Sequence, residues 1–497
     1  MIRNRGSNSD RRNVGAENSG IWTLVRDLWR VAISETANSD DYNESQAALC
    51  LGVARFTRNI VAGVPSNQYN ALENESSICS LVYRYTSYAA VQNPETYPVT
   101  RMLVQTLSNL ATGNDTIISR LWRTYLALPE EQLILLRLLT SPDTKTVSST
   151  LVFTLNCIHS NEERMGILVT APRGPRIVIK ILDRISSLVH SRGTDESQAF
   201  TIGYGIFTQL IEAGLIPALY NAIAMSGEPI TPPQTTLLQL LDSYLHQASH
   251  GLPAKGRNDA LVRMLIDTFF ELAGYTQDAI RRALGSADES QAGSDAGDHA
   301  TLPKELDLLL PKVCEALVLV VQCLTTLALS EPEESSPVAA SGTVKATLAA
   351  VRSAGGEGLV ESLIETLRLL DTFLPRITFG RVVERPSPPG AQPLSADTAV
   401  RSQPGVEGFS YVKRDLVRLL GIIAVDDRGV QDRVRECGGI PVVMNLCVVD
   451  DRNPYMKEHA ILALRNLLHG NSVNQEVVKE IQPVARWDER GALQSLS

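Results

Sequence analysis

The sequence predicts an all-α protein built as a solenoid of helical repeats. Three features indicate this fold: one segment repeats itself after 44 residues, glycine and proline punctuate that segment, and its apolar residues are spaced to form one face of a helix. The composition agrees with this prediction. Of the 497 residues 44% are hydrophobic but only 5% are aromatic, as suits helices that pack through aliphatic side chains.

The repeat is clearest between residues 411 and 481. When Glu436 is placed on Glu480, acidic residues coincide with acidic, basic with basic and aliphatic with aliphatic. The coinciding pairs are Leu420 and Leu464, Ile423 and Leu467, Gln431 and Gln475, Asp432 and Glu476, Val434 and Val478, and Arg435 and Lys479. This shift lies within the range of roughly 40 to 47 residues that is typical of helical solenoids.

Glycine and proline divide each unit into short and long helices. The sequence Gly-Gly-Ile-Pro at 438–441 ends one helix and starts the next, because glycine tolerates a left-handed helix end and proline suits a first helical position. Pro454 opens a longer helix, in which Ile461, Leu464 and Leu468 form one apolar stripe. A short helix, a Gly-Ile-Pro break and a long final helix resemble an armadillo repeat.

Four motifs extend the resemblance to a particular family. They are KRDLVRLLGIIA at 413–424, ECGGIP at 436–441, CVVDDRNP at 447–454 and ILALRNLLHGN at 461–471. Together they resemble the C-terminal domain of the ataxin-10 family. The resemblance implies a cytoplasmic protein that acts through protein partners in the regulation of cytokinesis and in cell survival. The long insertions favour a fungal or protist member of the family over an animal one.

Composition shifts along the chain predict its domain organisation. Residues 1–19 are polar and contain glycine, residues 286–302 are acidic and of low complexity, and four prolines cluster between 386 and 393. The prediction is a disordered N terminus at 1–19, N-terminal armadillo-like repeats at 20–285, an acidic disordered loop at 286–302, further helices at 303–374, a Pro-rich linker at 375–408, ataxin-10-like C-terminal repeats at 409–485 and a tail at 486–497. The linker is expected to separate the two blocks of repeats.

An asparagine marks the same place in several units. The series is Asn59, Asn109, Asn156 and Asn466. In proteins similar to armadillo solenoids, final helices line a concave groove, where an asparagine amide can bond both the N–H and the C=O of an extended peptide. The alternative is that each amide bonds the turn of its own repeat. Ile422 interrupts the series.

Basic residues lie beside the asparagine series. Arg58 and Arg465 each precede an asparagine and are candidate charge contacts for a bound protein. Lys413, Arg414 and Arg418 are interpreted equally well as a solvated face. The sequence therefore predicts protein partners bound through a concave groove, and it leaves a homo-oligomer open.

Charge, hydropathy and cysteine content limit the other partners. A net charge of −9 gives no reason to expect nucleic acid. The apolar run at 316–329 is interrupted by Gln322 and is shorter than a membrane span, so no membrane insertion is expected. Residues 1–20 lack the apolar core of a secretory signal, and the seven cysteines form no C-x-x-C pair. A cytoplasmic protein with free thiols is expected.

Three other functions fit the sequence less well than a scaffold. A nuclear-transport-type peptide adaptor would carry Trp four residues before each asparagine, whereas those positions hold Arg55, Gln105, Val152 and Leu462. A copper-homeostasis protein would need soft ligands in close sets, but the seven cysteines and seven methionines are scattered. The sequence shows no arrangement of residues that is typical of a catalytic site. It therefore predicts no enzyme, no cofactor and no metal site.

Overall fold

The computed structural model describes residues 8–17, 19–36, 43–189, 193–247, 255–289, 307–330, 343–383, 407–480, 485–487 and 493–495. Helices dominate these residues, which confirms the predicted all-α class. The contacts divide the chain into two compact units. Unit 1 comprises Met1–Ala224 and Pro232–Leu240, and unit 2 comprises Met225–Thr231 and Leu241–Ser497.

The helices of the first part of the chain are α1 (Asn8–Glu17), α2 (Ser19–Thr36), α3 (Glu44–Val61), α4 (Pro65–Ala71), α5 (Glu75–Tyr85), α6 (Tyr88–Val91), α7 (Tyr97–Ala111), α8 (Asp115–Ala127), α9 (Ile134–Leu139), α10 (Thr144–Ile158), α11 (Glu162–Thr170), α12 (Gly174–Val189), α13 (Thr194–Glu212), α14 (Ile216–Ala222) and α15 (Pro232–Gln247). In unit 1, α2, α3, α7, α10 and α13 form a row in which each helix packs against the next. We call this the unit 1 row. A second layer, which includes α5, α9 and α12, packs behind it.

The remaining elements are α16 (Lys255–Glu289), α17 (Leu310–Leu329), α18 (Val344–Ala350), α19 (Leu359–Phe373), β1 (Arg376–Thr378), β2 (Arg381–Val383), α20 (Val412–Ile423), α21 (Arg428–Glu436), α22 (Gly439–Asn445), α23 (Met456–Leu468), α24 (Ser472–Glu480), β3 (Ala485–Trp487) and β4 (Leu493–Ser495). Unit 2 contains a second row, formed by α16, α17, α20 and α23. The strands pair antiparallel, β1 with β2 and β3 with β4.

The backbone repeats with the same register as the asparagine series. Four residues after each asparagine, or after Ile422, the chain adopts a positive φ at the end of the helix; the residues are Gly63, Gly113, Ser160, Asp426 and Gly470. Glycine adopts this geometry without a steric penalty, and serine and aspartate tolerate it in turns. The turn that follows each of these long helices therefore has a positive-φ residue at the same position in both units.

The predicted disordered N terminus is wrong for residues 8–17, which form α1. The helix is polar, and hydrogen bonds to neighbouring elements hold it. The Arg11 guanidinium donates to the Ala62 carbonyl at 2.8 Å, and the Trp22 indole donates to the Gly15 carbonyl at 3.0 Å. Composition alone predicts disorder here because it does not show the hydrogen bonds that α1 makes with residues outside it.

The predicted linker is structured at its start and does not separate two blocks. Residues 376–383 form the β1–β2 hairpin, and the Asp451 N–H donates to the Ile377 carbonyl at 2.7 Å. Helices α17 and α19, which precede the linker, pack against α20, which follows it, inside unit 2. Residues 384–406 of the linker and 290–302 of the acidic loop lie outside the described residues. Part of the predicted tail, 486–487 and 493–495, belongs to β3 and β4.

The apolar run at 316–329 lies within α17, which has 20 residues. Among the described residues, α17 is the one continuous helix that is long and apolar enough to cross a membrane, and the bent pair α13–α14 passes the same test only if its two helices are joined. The predicted run of 14 residues is shorter than a membrane span, but the whole helix is long enough. Within the apolar window of α17, 61% is buried inside the protein.

Candidate functional site

The four predicted asparagines lie on the long helices of the two rows. Asn59, Asn109 and Asn156 lie near the C-terminal ends of α3, α7 and α10, which are consecutive in the unit 1 row. Asn466 has the same place on α23 in unit 2. All four side chains are half-buried. The structure thus aligns three of them on one row and confirms their common register.

Three of the amides donate to the preceding helix of their row. The Asn109 Nδ2 donates to the Arg58 carbonyl on α3 at 3.1 Å. The Asn466 Nδ2 donates to the Gly421 carbonyl on α20 at 3.0 Å. On α10, the Asn156 Nδ2 donates to the Ser108 and Thr112 hydroxyls at 3.3 and 3.0 Å. Each of these amides therefore joins two repeats instead of bonding the turn of its own repeat, which was the alternative interpretation.

A buried glutamine completes the same hydrogen-bond network in both units. In unit 1, the Gln68 Nε2 donates to the Asn109 carbonyl at 2.9 Å, and its Oε1 accepts from Asn114 at 3.2 Å. The contacts of the second glutamine, in unit 2, are equivalent: the Gln431 Nε2 donates to the Asn466 carbonyl at 3.0 Å, and its Oε1 accepts from Asn471 at 3.2 Å.

A second buried asparagine also recurs. The Asn67 Nδ2 donates to the Ile60 carbonyl at 2.9 Å, and the Asn474 Nδ2 donates to the Leu467 carbonyl at 2.8 Å. Both amides lie eight residues after an asparagine of the series. Sequence reasoning missed both residues as members of a network, because their partners are carbonyl groups that carry no sequence signal.

The two candidate arginines have different surroundings. Arg58 is half-buried and donates to the Asn59 Oδ1 at 2.9 Å and to the Gln105 Oε1 at 2.7 Å. Burial, and then the nearby Arg55 charge, lower the pKa of the Arg58 guanidinium. Arg465 lies exposed in the last turn of α23. Of the two arginines, Arg465 is the more exposed to the solvent.

Metal-ligating side chains are not gathered in the described residues. No group of three or more His, Cys, Asp or Glu residues in that part of the chain is placed to hold a metal ion. His246, at the end of α15, has its Nδ1 at 3.2 Å from the Asp242 carboxylate. All seven cysteines are free thiols.

Comparison with known proteins supports the resemblance for the C-terminal part of the chain. Residues 412–496 match a family model described as the spinocerebellar ataxia type 10 protein domain. The chain is similar to the ataxin-10 homolog of Kluyveromyces lactis, with 42% identity over 74 residues, which are 15% of this chain and 14% of the relative. It is also similar to the homolog of Dictyostelium discoideum, with 42% identity over 79 residues, 16% of this chain and 13% of the relative.

An animal relative gives the same result. Ataxin-10 of Bos taurus is 36% identical over 89 residues, which are 18% of each chain. The chain therefore matches less than a fifth of the length of these curated relatives. Of the candidate residues, Asn466 and Arg465 lie within the matched segment, and the unit 1 residues lie outside it.

Two solved structures are similar at low scores. One comes from a study of a phosphorylation switch that controls the interaction between cadherin and beta-catenin, with 14% identity and a TM-score of 0.28 over 93% of this chain and 81% of that chain. The other is an engineered protein, with 15% identity and a TM-score of 0.23 over 89% of this chain and 98% of that chain. Scores this low carry no inference about partners.

Proposed function

We propose that this chain, whose residues 412–496 match the spinocerebellar ataxia type 10 protein domain, is a non-enzymatic scaffold that binds protein partners. Its predicted roles are the regulation of cytokinesis and cell survival, in the cytoplasm. The family resemblance supports these roles, and the names of the relatives reported above are not those of enzymes. The proposal needs no metal and no cofactor.

One observation carries the scaffold function: the unit 1 row presents equivalent half-buried polar side chains on three consecutive helices, α3, α7 and α10. Stacked helical repeats commonly use such extended surfaces to bind partners. The surface continues between the helices, because Arg58 contacts Gln105, whose Nε2 lies 3.4 Å from the Ser149 hydroxyl. A partner segment could therefore follow the row over several repeats.

The asparagines can serve both the fold and a partner. An amide side chain has two N–H groups and two acceptor positions. The contact with the preceding helix uses one N–H of Asn109 and of Asn466. The proposed peptide contacts involve the remaining positions of Asn59, Asn109, Asn156 and Asn466, with Arg58 and Arg465 as charge contacts.

The test is quantitative affinity purification of the wild type and of a variant with Asn109, Asn156 and Asn466 changed to alanine. The matched control changes Arg123 and Glu163 to alanine, because this exposed ion pair joins α8 and α11, which are not helices of the unit 1 row. We expect partners to be lost from the asparagine variant and retained by the control. Circular dichroism must show that all three proteins melt cooperatively.

A cell-based test separates binding from biological role. In cells depleted of the endogenous protein, the wild type and the Arg123/Glu163 control should restore the normal frequency of completed cytokinesis, and the asparagine variant should not. If the folded asparagine variant keeps every partner, the assignment of the asparagines to partner binding is wrong. If cells without the protein divide normally, the proposed role in cytokinesis is wrong.

A further inference from the structure

Helix α2 is apolar on two faces. One face is buried in unit 1 and comprises Trp22, Val25, Trp29 and Ala32. The other face comprises Leu24, Leu28 and Val31, at the spacing i, i+4 and i+7. On this second face Leu24 is 58% and Val31 is 42% exposed. A helix needs only one apolar face to join a fold, so the second face is available to a partner.

The second face of α2 forms one wall of an apolar groove in unit 1. Leu24 and Leu28 contribute from α2, and Ala48, Gly52 and Phe56 contribute from α3; the cavity has a volume of about 480 Å³. Phe56 is 42% exposed. At Gly52 an added Cβ would meet no atom within 4 Å, so the floor of the groove is open.

The position of the groove in the row favours a helical occupant. Within the row each long helix packs against the next, as α3 does against α7, whereas α2 is the first helix of the row. Terminal helices of repeat proteins normally carry a polar outer face. Here that face is apolar and exposed, which is the surface that an additional helix would cover.

The chemistry of the groove also excludes an extended peptide. The residues that line it are apolar. An extended chain buried there would leave its backbone N–H and C=O groups without partners, and this costs free energy. A helix satisfies those groups internally and presents only side chains to the groove.

A positive charge without an ion pair among the described residues lies next to the groove. Arg55 is exposed and lies one helical turn beyond Gly52 on α3. The described residues supply no carboxylate ion pair to Arg55 or to its neighbour Arg58, which bonds neutral amides. By contrast, Arg26 pairs with Glu73 at 2.7 Å. An acidic group on the partner would be attracted to this charge.

We propose that the groove between α2 and α3 docks an amphipathic helix of a partner protein. Apolar side chains of that helix, spaced i, i+3 or i+4 and i+7, fill the groove, and a flanking Glu or Asp pairs with Arg55. This inference rests on the proposed scaffold function for the existence of a partner. The groove is separate from Asn109, Asn156 and Asn466, so the two proposals can fail independently.

The test uses fluorescence anisotropy of labelled synthetic helices with the full chain. One peptide carries Leu at positions 1, 4, 8 and 11 with flanking Glu, a second has Lys in place of Glu, and a third is a scrambled form of the first. We expect the Glu peptide to bind best. The substitution Leu24→Glu should weaken binding at least about tenfold, since it places a charge against apolar side chains. Tyr88→Glu is the control, because Tyr88 is 87% exposed and lies outside the groove.

A charge exchange makes the partner's acidity testable. Arg55→Glu should weaken the binding of the Glu peptide and strengthen the binding of the Lys peptide. A loss of folding could not strengthen the binding of either peptide. Since Leu24 and Arg55 are exposed, both variants should melt like the wild type. Equal binding of the scrambled peptide, or unchanged affinity in Leu24→Glu, overturns the proposal. A third result also overturns it: no peptide binds, and Leu24→Glu converts the protein from a dimer to a monomer. In that case a second copy of the chain covers the groove.

Discussion

At the scale of single residues, the burial of Lys413 differs most from the sequence-based expectation. The sequence is consistent with Lys413 on a solvated face, yet its side chain is fully buried in unit 2. Its Nζ lies 3.3 Å from the Asp450 carboxylate and 3.5 Å from that of Asp371. A buried ammonium group is tolerated only where carboxylates compensate its charge. Asp371 and Asp450 come from α19 and from the loop before α23, so sequence proximity does not reveal them.

Removal of one carboxylate should be strongly destabilising. We expect Asp450→Asn to lower the free energy of unfolding by about 3 to 5 kcal/mol, because it leaves Lys413 with less compensation. Urea unfolding at neutral pH measures this change. The matched control is Glu476→Gln, which removes an exposed ion pair with Lys479 and should change stability by less than about 1 kcal/mol. Equal effects of the two substitutions would contradict a buried charge cluster.

The same carboxylate should make stability depend on pH. Burial acts to raise the pKa of Asp450, but the Lys413 charge and the Asn453 hydrogen bond outweigh it and hold the pKa below its usual value. A depressed folded pKa gives stability that is present above the unfolded pKa of about 3.9 and is lost as the pH falls through the folded pKa. The wild type should therefore lose more stability than Asp450→Asn between about pH 5 and pH 2. A larger loss in the variant would refute this assignment.

At the scale of elements, close contact between α20 and α23 depends on one glycine. A Cβ added at Gly421 would lie 3.0 Å from the Cβ and 3.1 Å from the Cα of Ala463. The Asn466 amide donates to the Gly421 carbonyl at 3.0 Å across the same interface. The Asn466 hydrogen bond and the close contact of the two helices therefore lie at the same interface.

Two glycine-to-alanine substitutions should change stability in opposite directions. Gly421→Ala is expected to lower the free energy of unfolding by about 1 to 3 kcal/mol, because the added methyl group separates α20 from α23. Gly274→Ala, in α16, meets no atom within 4 Å and should raise it by about 0.5 to 1 kcal/mol through helix propensity. Thermal and urea unfolding compare the two. Stabilisation by both substitutions would show that the interface is looser than the structure describes.

At the scale of the whole molecule, the seven cysteines are distributed over both units as free thiols. Cys50, Cys157, Cys314 and Cys323 are buried, and the other three are half-buried. Burial raises the pKa of the Cys314 thiol to about 12 and raises that of Cys157 as well. A thiol with a raised pKa reacts slowly, since the thiolate is the nucleophile.

Thiol titration should therefore report the integrity of the whole fold. At pH 8 we expect no more than three thiols of the native protein to react rapidly with a disulfide reagent, and all seven to react in guanidinium chloride. The Tm should be the same with and without a reductant, because no disulfide is broken. Rapid reaction of more than three native thiols, or a Tm lowered by reductant, would contradict the structure.

The sequence alone determined the all-α class, the repeat register and the position of the asparagine series. These features depend on local signals: the spacing of apolar residues, glycine and proline at helix ends, and identical residues one repeat apart. The match over residues 412–496 confirms the family resemblance where those signals were strongest. Local chemistry fixes them because each one acts within one or two helical turns.

Only the tertiary structure decided which faces meet. It placed Gln68 and Gln431 in equivalent positions between repeats, buried Lys413 and exposed Leu24 on the second apolar face of α2. It also docked the β1–β2 hairpin, predicted to be linker, onto residues 449–451. The sequence could not show these results because backbone carbonyl groups carry no sequence signal and because burial depends on partners that are distant along the chain.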